Sequence, residues 1–350
     1  MKEVKVGLIG LGFMGSTHWR IYEALPGVKV TALADVDAAK RSGDVSKVVG
    51  NIGGGDNSAP LNMQGVTVYE DALQMIAEAD VDMIDICVPT PLHKDYILAA
   101  LKAGKHVFSE KPLCRTLEEI AVIREAVKAS GKFFNVGMCV RAWPEYDTAK
   151  QLLDSGKLGA VKSALFRRMS PSVDGNAWNN WFMNDAMSGG AALDLHTHDT
   201  DIVCYFFGNP AAVRSAGARG VVSDNGIDQI ITSYDYQDGK FITAEGGWCA
   251  PACVPFEMSF QIVCEKAALK LDAAGFHIYW NCGKVETPDT GDASLPTGWH
   301  RELKYFTDCV RDNVTPDRYQ TPESVFNSLA VVMAEIQSVD SKQPVEVKYV

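Results

Sequence analysis

The 350-residue sequence has no apolar stretch that approaches the roughly 20 residues needed to span a bilayer. It is also short of positive charge, because 33 lysines and arginines stand against 44 aspartates and glutamates, for a net charge of −11. No basic cluster overrides that balance, and no internal repeat or low-complexity segment is present. These absences argue against a membrane or nucleic-acid partner. The apolar run behind the first lysines lacks a cleavage-like segment, so we expect no signal peptide.

The sequence also lacks the paired cysteine spacing of a disulfide framework. Its nine cysteines are scattered, an odd number that favours a reducing compartment, so we predict a cytoplasmic protein. Cys249 and Cys253 are the closest pair, but a lone C-x3-C is a weak indication of zinc. We therefore predict no metal site.

A glycine motif follows the first apolar run. Residues 4–9 predict a buried strand, and the next residues predict a helix that ends before Pro26. Between them, the first glycine permits a tight turn, the second admits a pyrophosphate to the backbone, and the third allows close helix packing. The N–H groups at the helix start attract phosphates. The predicted cofactor contacts here are Gly10, Gly12, Phe13, Met14 and Gly15.

An acidic residue ends the second predicted strand. Asp35 lies 20 residues after Gly15, where an acid binds the ribose hydroxyls of NAD. The alternative is that Asp35 only opens the following loop. Arg41 is close in sequence and could pair with the extra phosphate of NADP, so NADP remains the less favoured cofactor.

The chain changes character after about residue 136. Residues 1–136 alternate strand-like and helix-like runs, which predicts an α/β domain with a doubly wound parallel sheet, the Rossmann type. Residues 137–350 predict an α+β domain with a large, mainly antiparallel open sheet, because consecutive strand-like runs are joined by short turns. The glycine-rich segment from Gly50 to Pro60 is long for a connection within a domain, and its role stays open.

Two motifs follow later strands of the first domain. Pro89-Thr-Pro-Leu-His93 follows the strand predicted at 81–88, and Ser109-Glu-Lys-Pro112 follows the strand at 105–108. The carboxyl ends of parallel strands face the ligand crevice, so these motifs are expected near the nicotinamide. The predicted contacts are Pro89, Thr90, His93, Glu110 and Lys111. For His93, a structural role at a helix start is the alternative.

An apolar helix predicted at 191–207 carries candidate catalytic groups. Asp194 and His198 are four residues apart and so share one face of a helix, whereas His196 lies roughly 200° from Asp194. Histidine suits the removal of a proton from a hydroxyl group. Asp201, three residues after His198, is a second candidate for orienting it. Arg141 and Trp181 are weaker candidates for substrate contacts, since buried packing is the usual role of tryptophan.

Taken together, these motifs resemble the Gfo/Idh/MocA oxidoreductases over nearly the whole chain. The resemblance implies NAD or NADP in the first domain, and a C-terminal sheet that covers the substrate or forms a subunit interface. It also implies that Lys111, Asp194 and His198 are catalytic and that a sugar or polyol carbon is oxidised or reduced. Some members have tyrosine where this chain has His198, so the histidine favours an inositol-dehydrogenase type of site. The turn at residues 264–267 and the glycines at 53–55 depart from the family pattern.

The resulting hypothesis is an NAD-dependent dehydrogenase acting on CH–OH groups, assembled as a homodimer or homotetramer. Two alternatives stay open. NAD could remain bound and cycle, giving a net non-redox reaction on a glycoside through a keto intermediate. The chain could instead be a non-catalytic dinucleotide sensor, although such a sensor does not need Lys111, Asp194 and His198 together.

Overall fold

The computed structural model describes residues 2–50, 59–175 and 178–349, without the side chain of Trp178. Most of the Gly50–Pro60 segment, including the glycines at 53–55, therefore lies outside the described residues. Packing divides the chain into two compact units. Unit 1 comprises Met1–Cys139, Gly175–Trp181 and Trp299–Glu323, and unit 2 comprises Val140–Asp174, Phe182–Gly298 and Ser324–Val350.

The strands alternate with helices in the first part of the chain and follow one another directly in the second. In chain order they are β1 Val4–Ile9, β2 Val28–Ala34, β3 Thr67–Tyr69, β4 Met83–Ile86, β5 His106–Ser109, β6 Phe134–Val136, β7 Val161–Pro171, β8 Ala212–Arg219, β9 Ile227–Asp235, β10 Phe241–Ala250, β11 Glu257–Cys264, β12 Ala267–Asp272, β13 Gly275–Trp280, β14 Val285–Glu286 and β15 Val345–Glu346.

The helices vary from a single turn to 20 residues. They are α1 Phe13–Ala24, α2 Ala38–Arg41, α3 Ala72–Glu78, α4 His93–Lys102, α5 Leu117–Ser130, α6 Pro144–Asp154, α7 Asp185–Ser188, α8 Gly190–Asp194, α9 Thr197–Phe207, α10 Gly298–Asp312 and α11 Pro322–Ser341. Short 3₁₀ turns occur at Thr90–Leu92, Cys139–Ala142 and Trp178–Met183.

Unit 1 is built on a parallel six-stranded sheet in the order β3-β2-β1-β4-β5-β6. This is the strand order of a dinucleotide-binding Rossmann sheet, which confirms the predicted fold class. Strands β1, β4, β5 and β6 are buried along almost their whole length, in keeping with their apolar sequences, whereas the edge strand β3 is largely exposed. Thr116 is the N-cap of α5, and its hydroxyl accepts a hydrogen bond from the Glu119 N–H.

Helix α10 belongs to the packing of unit 1, although it lies far along the chain. Its Leu303, Phe306 and Val310 join the apolar core formed around β1, and Phe306 contacts the ring of Phe108 on β5. The amphipathic sequence of α10 explains this, because its apolar stripe needs a hydrophobic surface to cover it. The functional boundary after residue 136 stays a prediction, since packing units and functional domains need not coincide.

Unit 2 is built on a nine-stranded sheet in the order β14-β13-β12-β11-β7-β10-β9-β8-β15. Strands β7 and β10 are parallel, and every other pair of neighbours is antiparallel, which confirms a mainly antiparallel sheet. Along β7, Ala164 and Phe166 are buried, whereas the alternate Leu165 is 46% exposed. Alternation of this kind is expected when one face of a sheet packs on helices and the other stays open.

Candidate functional site

The turn between β1 and α1 has the shape that a pyrophosphate needs. Gly10 has a φ of +89°, which L side chains rarely adopt, and a Cβ at Gly15 would collide with the carbonyl oxygen of Gly10. At Gly12, by contrast, a Cβ would meet nothing within 4 Å. Gly12 is the N-cap of α1 and provides no capping side chain, so the helix N-terminus is a ready anion site. Phe13 and Met14 form the first turn of this helix.

Asp35 is fixed beside this turn. One carboxylate oxygen accepts the N–H of Leu11 at 2.7 Å, and the other accepts the N–H of Asp37 at 2.8 Å. Arg41 donates to the main-chain oxygen of Asp35 at 2.6 Å and approaches Glu70 at 3.5 Å. The guanidinium is therefore already bonded within the loop, which weakens the argument for NADP that rests on Arg41.

The loop after β4 offers a polar atom toward the carboxyl edge of the sheet. Thr90 is buried, and its hydroxyl has no hydrogen-bond partner among the described residues. A buried hydroxyl of this kind is normally satisfied by a ligand or water. Pro89 precedes it and is partly buried. The loop thus fits the predicted cofactor contact at Thr90.

His93 has a different surrounding from the one expected of a ligand contact. Its ring is buried, with Nδ1 at 2.9 Å from the carbonyl oxygen of Pro112 and Nε2 at 2.8 Å from that of Val88. Burial lowers the pKa of His93. Both nitrogens face main-chain carbonyl oxygens, and the neutral ring donates its single N–H to one of them, so the ring lies between the loop after β4 and the loop after β5. The geometry favours the structural alternative for His93.

Glu110 and Lys111 follow β5 at the same edge. Glu110 is buried, and its carboxylate accepts the main-chain N–H of Lys111 at 3.0 Å. The Lys111 side chain is only partly buried. The acid and the lysine of this motif are thereby linked: the acid holds the backbone from which the lysine extends.

Sequence reasoning missed a buried polar cluster beneath these loops. His18 on α1 approaches Asp85 on β4 through Nδ1 at 2.8 Å, and Tyr22 donates its hydroxyl to the same carboxylate at 2.9 Å. The Nε2 atom of His18 lies 3.2 Å from Glu110. An acid inside the apolar strand sequence around residue 85 was the signal that could have identified the cluster, because buried carboxylates need partners.

In unit 2, the helix predicted at 191–207 is interrupted. Helix α8 ends at Asp194 and α9 begins at Thr197. The N–H of His196 bonds to the oxygen of Ala191, five residues back, and that of His198 bonds to Leu195, three residues back. The expectation that Asp194 and His198 share a face of one continuous helix is therefore wrong. Asp194 is buried and His198 partly buried, and their catalytic roles stay predictions.

The side chains around His198 are anchored to other elements. Asp199 forms a buried ion pair with Arg168 of β7, with a shortest N–O distance of 2.9 Å. Thr200 donates to Glu335 of α11 at 3.0 Å, and the fully buried His196 lies 3.7 Å from the same carboxylate. Burial alone would lower the pKa of His196, but Glu335 outweighs it and raises that pKa. These partners fix the start of α9.

Arg141 is one of these anchors. It is buried, and its Nε and a terminal nitrogen bond both oxygens of Asp201 at 2.7 and 2.5 Å. It also donates to Ser324 at 2.8 Å. Asp201 therefore pairs with Arg141 and does not orient His198. Because the guanidinium of Arg141 is already paired, the geometry does not favour its contact with a substrate. Trp181 lies partly buried in the turn Trp178–Met183, and its substrate role stays a prediction.

All nine cysteines are free thiols, Cys249 and Cys253 included. Among the residues described, one group has metal-ligand chemistry at close range: His18, Asp85 and Cys87, with ligand atoms within 4.8 Å. Burial raises the pKa of the Cys87 thiol, and the atoms already contact one another. Hydrogen bonding therefore accounts for this group. Within the described ranges, no helix has the length and apolar character to cross a membrane.

Comparisons with known proteins agree along most of the chain. Residues 4–138 match the GFO/IDH/MocA model, described as an oxidoreductase family with an NAD-binding Rossmann fold. Residues 146–270 match the C-terminal domain of GFO/IDH/MocA proteins. The inositol 2-dehydrogenase 3 of Saccharopolyspora erythraea is 32% identical over 344 residues, which span 97% of this chain and 85% of that protein.

Solved structures show the same fold. The scyllo-inositol dehydrogenase of Lactobacillus casei with bound NAD(H) and scyllo-inositol aligns over 99% of both chains, with a TM-score of 0.78 and 24% identity. A levoglucosan dehydrogenase in complex with NADH and levoglucosan aligns over 99% of this chain and 100% of the other, with a TM-score of 0.83 and 20% identity.

Proposed function

Because this chain belongs to the GFO/IDH/MocA oxidoreductase family, with its NAD-binding Rossmann fold, we propose that it is an NAD-dependent dehydrogenase of a sugar, an inositol or a related polyol. The observation that carries the proposal is the dinucleotide cradle of unit 1. The open backbone at Gly12, the uncapped start of α1 and the fixed Asp35 carboxylate fit the pyrophosphate and ribose of NAD. When bound, NAD supplies the hydride acceptor or donor.

The residues of this chain would manage the proton and the charge. Oxidation of a carbinol removes a hydride from carbon and a proton from the hydroxyl group. We propose that His198 takes the proton, that Asp194 orients the histidine or the substrate, and that Lys111 stabilises the negative charge developing on oxygen. The chemistry of the three side chains supports these roles. The resemblance to the family supports the assignment of the roles to these three residues.

A substrate screen tests the function. Purified protein and NAD are mixed with one compound at a time: myo-inositol, scyllo-inositol, levoglucosan or glucose. The formation of NADH is followed by its absorbance. We expect NADH to form with at least one polyol or sugar. Binding of NAD without turnover of any compound would favour the sensor. NAD that is released only on denaturation, with a glycoside cleaved and no net NADH, would favour the non-redox alternative.

We further propose a homodimer or homotetramer formed through the open face of the nine-stranded sheet. Apolar side chains on three central strands support this: Leu165, Ile231 and Phe241 are 46%, 48% and 63% exposed. Charged partners accompany them, since Arg167 bonds Glu245 at 3.0 Å and Glu257 at 2.7 Å. A sheet face that exposes apolar side chains and pairs its charged side chains with one another is typical of a subunit interface.

We also propose a reducing, cytoplasmic location. The nine free thiols support it, because scattered unpaired cysteines are uncommon in oxidising compartments.

A further inference from the structure

The buried cluster of unit 1 forms a continuous chain of contacts that ends at Lys111. Tyr22 and Asp85 meet at 2.9 Å, Asp85 and His18 at 2.8 Å, and His18 and Glu110 at 3.2 Å. Glu110 then accepts the Lys111 N–H at 3.0 Å. The contacts join α1, β4 and the loop after β5; α1 and the loop after β5 also carry predicted cofactor contacts, and β4 leads into the loop that carries Pro89 and Thr90.

The imidazole of His18 lies between two carboxyl groups, one at each ring nitrogen. A neutral imidazole donates only one hydrogen bond, whereas an imidazolium donates two and balances negative charge on both sides. Burial by itself lowers the pKa of His18, but the hydrogen-bonded Asp85 carboxylate opposes burial, and the pKa lies well above its ordinary value. The Nε2 of His18 and the Oε1 of Glu110 face each other at 3.2 Å as an ion pair, and neither atom has a hydrogen-bond partner in the described part of the chain.

The Glu110 carboxylate also lies close to Gly137. A Cβ on Gly137 would lie 2.7 Å from Oε1 of Glu110, closer than real Cβ atoms approach, and 3.1 Å from Oε2, so the carboxylate would have to move. Gly137 does not have a positive φ, so alanine is compatible with the backbone there. The Glu110 carboxylate therefore packs closely against both the His18 ring and the backbone of residue 137.

We propose that His18 is a positioning residue for Lys111, acting through the Glu110 carboxylate. The imidazolium holds the carboxylate, and the carboxylate holds the N–H of the residue whose side chain stabilises the reacting oxygen. The proposal rests on the role given to Lys111 in the proposed function. It predicts that the imidazolium matters for turnover, although the His18 side chain is fully buried.

The first test measures hydrogen exchange at the Lys111 amide and needs no substrate. In His18→Gln, and equally in Gly137→Ala, this amide should exchange roughly tenfold faster or more, because the carboxylate that accepts its hydrogen is displaced. The amide of Val107 on β5, which donates to the carbonyl oxygen of Phe133 just before β6, should keep its exchange rate. The matched control is His106→Gln, since Nδ1 of His106 accepts the Phe133 N–H; it should release Phe133 and leave Lys111 unchanged.

The second test is a double-mutant cycle with myo-inositol and NAD. His18→Gln alone should lower kcat by roughly 10- to 100-fold, the effect of a small misplacement of a catalytic group, with little change in KM or in NAD affinity. In a Lys111→Ala background the same substitution should have almost no further effect, because nothing is left to position. A general loss of packing would instead lower activity by the same factor in both backgrounds.

The failures are distinguishable. An unchanged Lys111 amide, or equal acceleration throughout β5, overturns the inference whether or not inositol is a substrate. Full additivity of the His18 and Lys111 substitutions overturns it and leaves the role of Lys111 intact. A Lys111→Ala variant with normal turnover overturns the proposed role of Lys111 and this inference with it.

Discussion

At the scale of residues, the preference for NAD over NADP depends on the side chain of Asp35. The N–H groups of Leu11 and Asp37 hold its carboxylate in position. Its carboxylate can accept the ribose hydroxyls of NAD at little conformational cost, because its orientation is already set. The same charge repels a 2′-phosphate. Arg41, the residue that argued for NADP, donates instead to the main chain at Asp35.

Replacing Asp35 by serine should shift the preference toward NADP. We expect NAD to bind roughly tenfold more weakly and the ratio of NADP to NAD affinity to rise by more than that, since one repulsive and two attractive contacts are lost. Titration of both cofactors into wild type and variant measures this. Asp37→Ser is the control, because Asp37 caps α2 through Ala39 and is not expected to meet the ribose. A wild type that prefers NADP would contradict the assignment.

The two neighbouring histidines should respond differently to substitution. His198→Ala should lower kcat by roughly 10²-fold or more at near-normal NAD affinity, because it removes the proposed base. His196→Ala should chiefly reduce stability, since that ring is fully buried beside Glu335. Turnover, NAD binding and urea unfolding are measured for both variants. Near-normal turnover in His198→Ala would refute the assignment of the base.

At the scale of elements, the segment from α8 to α9 shows how tertiary contacts alter a helix. Its sequence is periodic and apolar enough to predict one helix, yet the hydrogen-bond register slips at His196. The polar side chains that follow need buried partners on β7 and α11, and those partners lie at fixed places. Local propensity is a weak preference and yields to such contacts.

Arg141 connects the turn Cys139–Ala142 to α9 and α11 through Asp201 and Ser324. Arg141→Met should lower the free energy of unfolding by about 3–5 kcal/mol, because it leaves the buried Asp201 unpaired. The KM for substrate should stay near wild type. Urea unfolding and steady-state kinetics test both points. A large rise in KM at unchanged stability would restore the substrate role that the sequence suggested.

The control for this variant is Arg219→Met, which removes an exposed pair with Asp340. The N–O distance there is 2.7 Å, but the side chains are 30% and 55% exposed. Exposed ion pairs contribute about 0–1 kcal/mol, so this change should be nearly silent.

At the scale of the whole molecule, the open sheet face of unit 2 leads to the prediction of oligomerisation. Ile231→Arg combined with Leu165→Arg should reduce the molar mass in solution to that of one chain. The two substitutions place charges on the sheet face that the proposed subunit interface would shield from water. Light scattering at micromolar concentration measures it. Leu73→Arg, at a 49% exposed leucine on α3 of unit 1, is the control and should leave the mass unchanged. A wild-type monomer with full activity would refute the interface.

The sequence by itself determined the class of both sheets, the dinucleotide turn and most element positions. These features depend on neighbours along the chain: glycines where the backbone must be open, apolar runs where strands are buried, and Thr116 where α5 begins. It also determined the family, since the Glu-Lys-Pro motif behind a strand and the Asp194–His198 spacing are specific in combination, although either alone is weak.

Only the tertiary structure decided which polar groups are partners. It brought His18 to Asp85 and Glu110, paired Asp201 with Arg141, placed His93 between two main-chain carbonyl groups and interrupted the helix at His196. Partners such as Arg141 and Asp201 are 60 residues apart. A pattern with a period of a few residues carries no information about such pairs, because burial and charge balance are settled only when distant segments pack together.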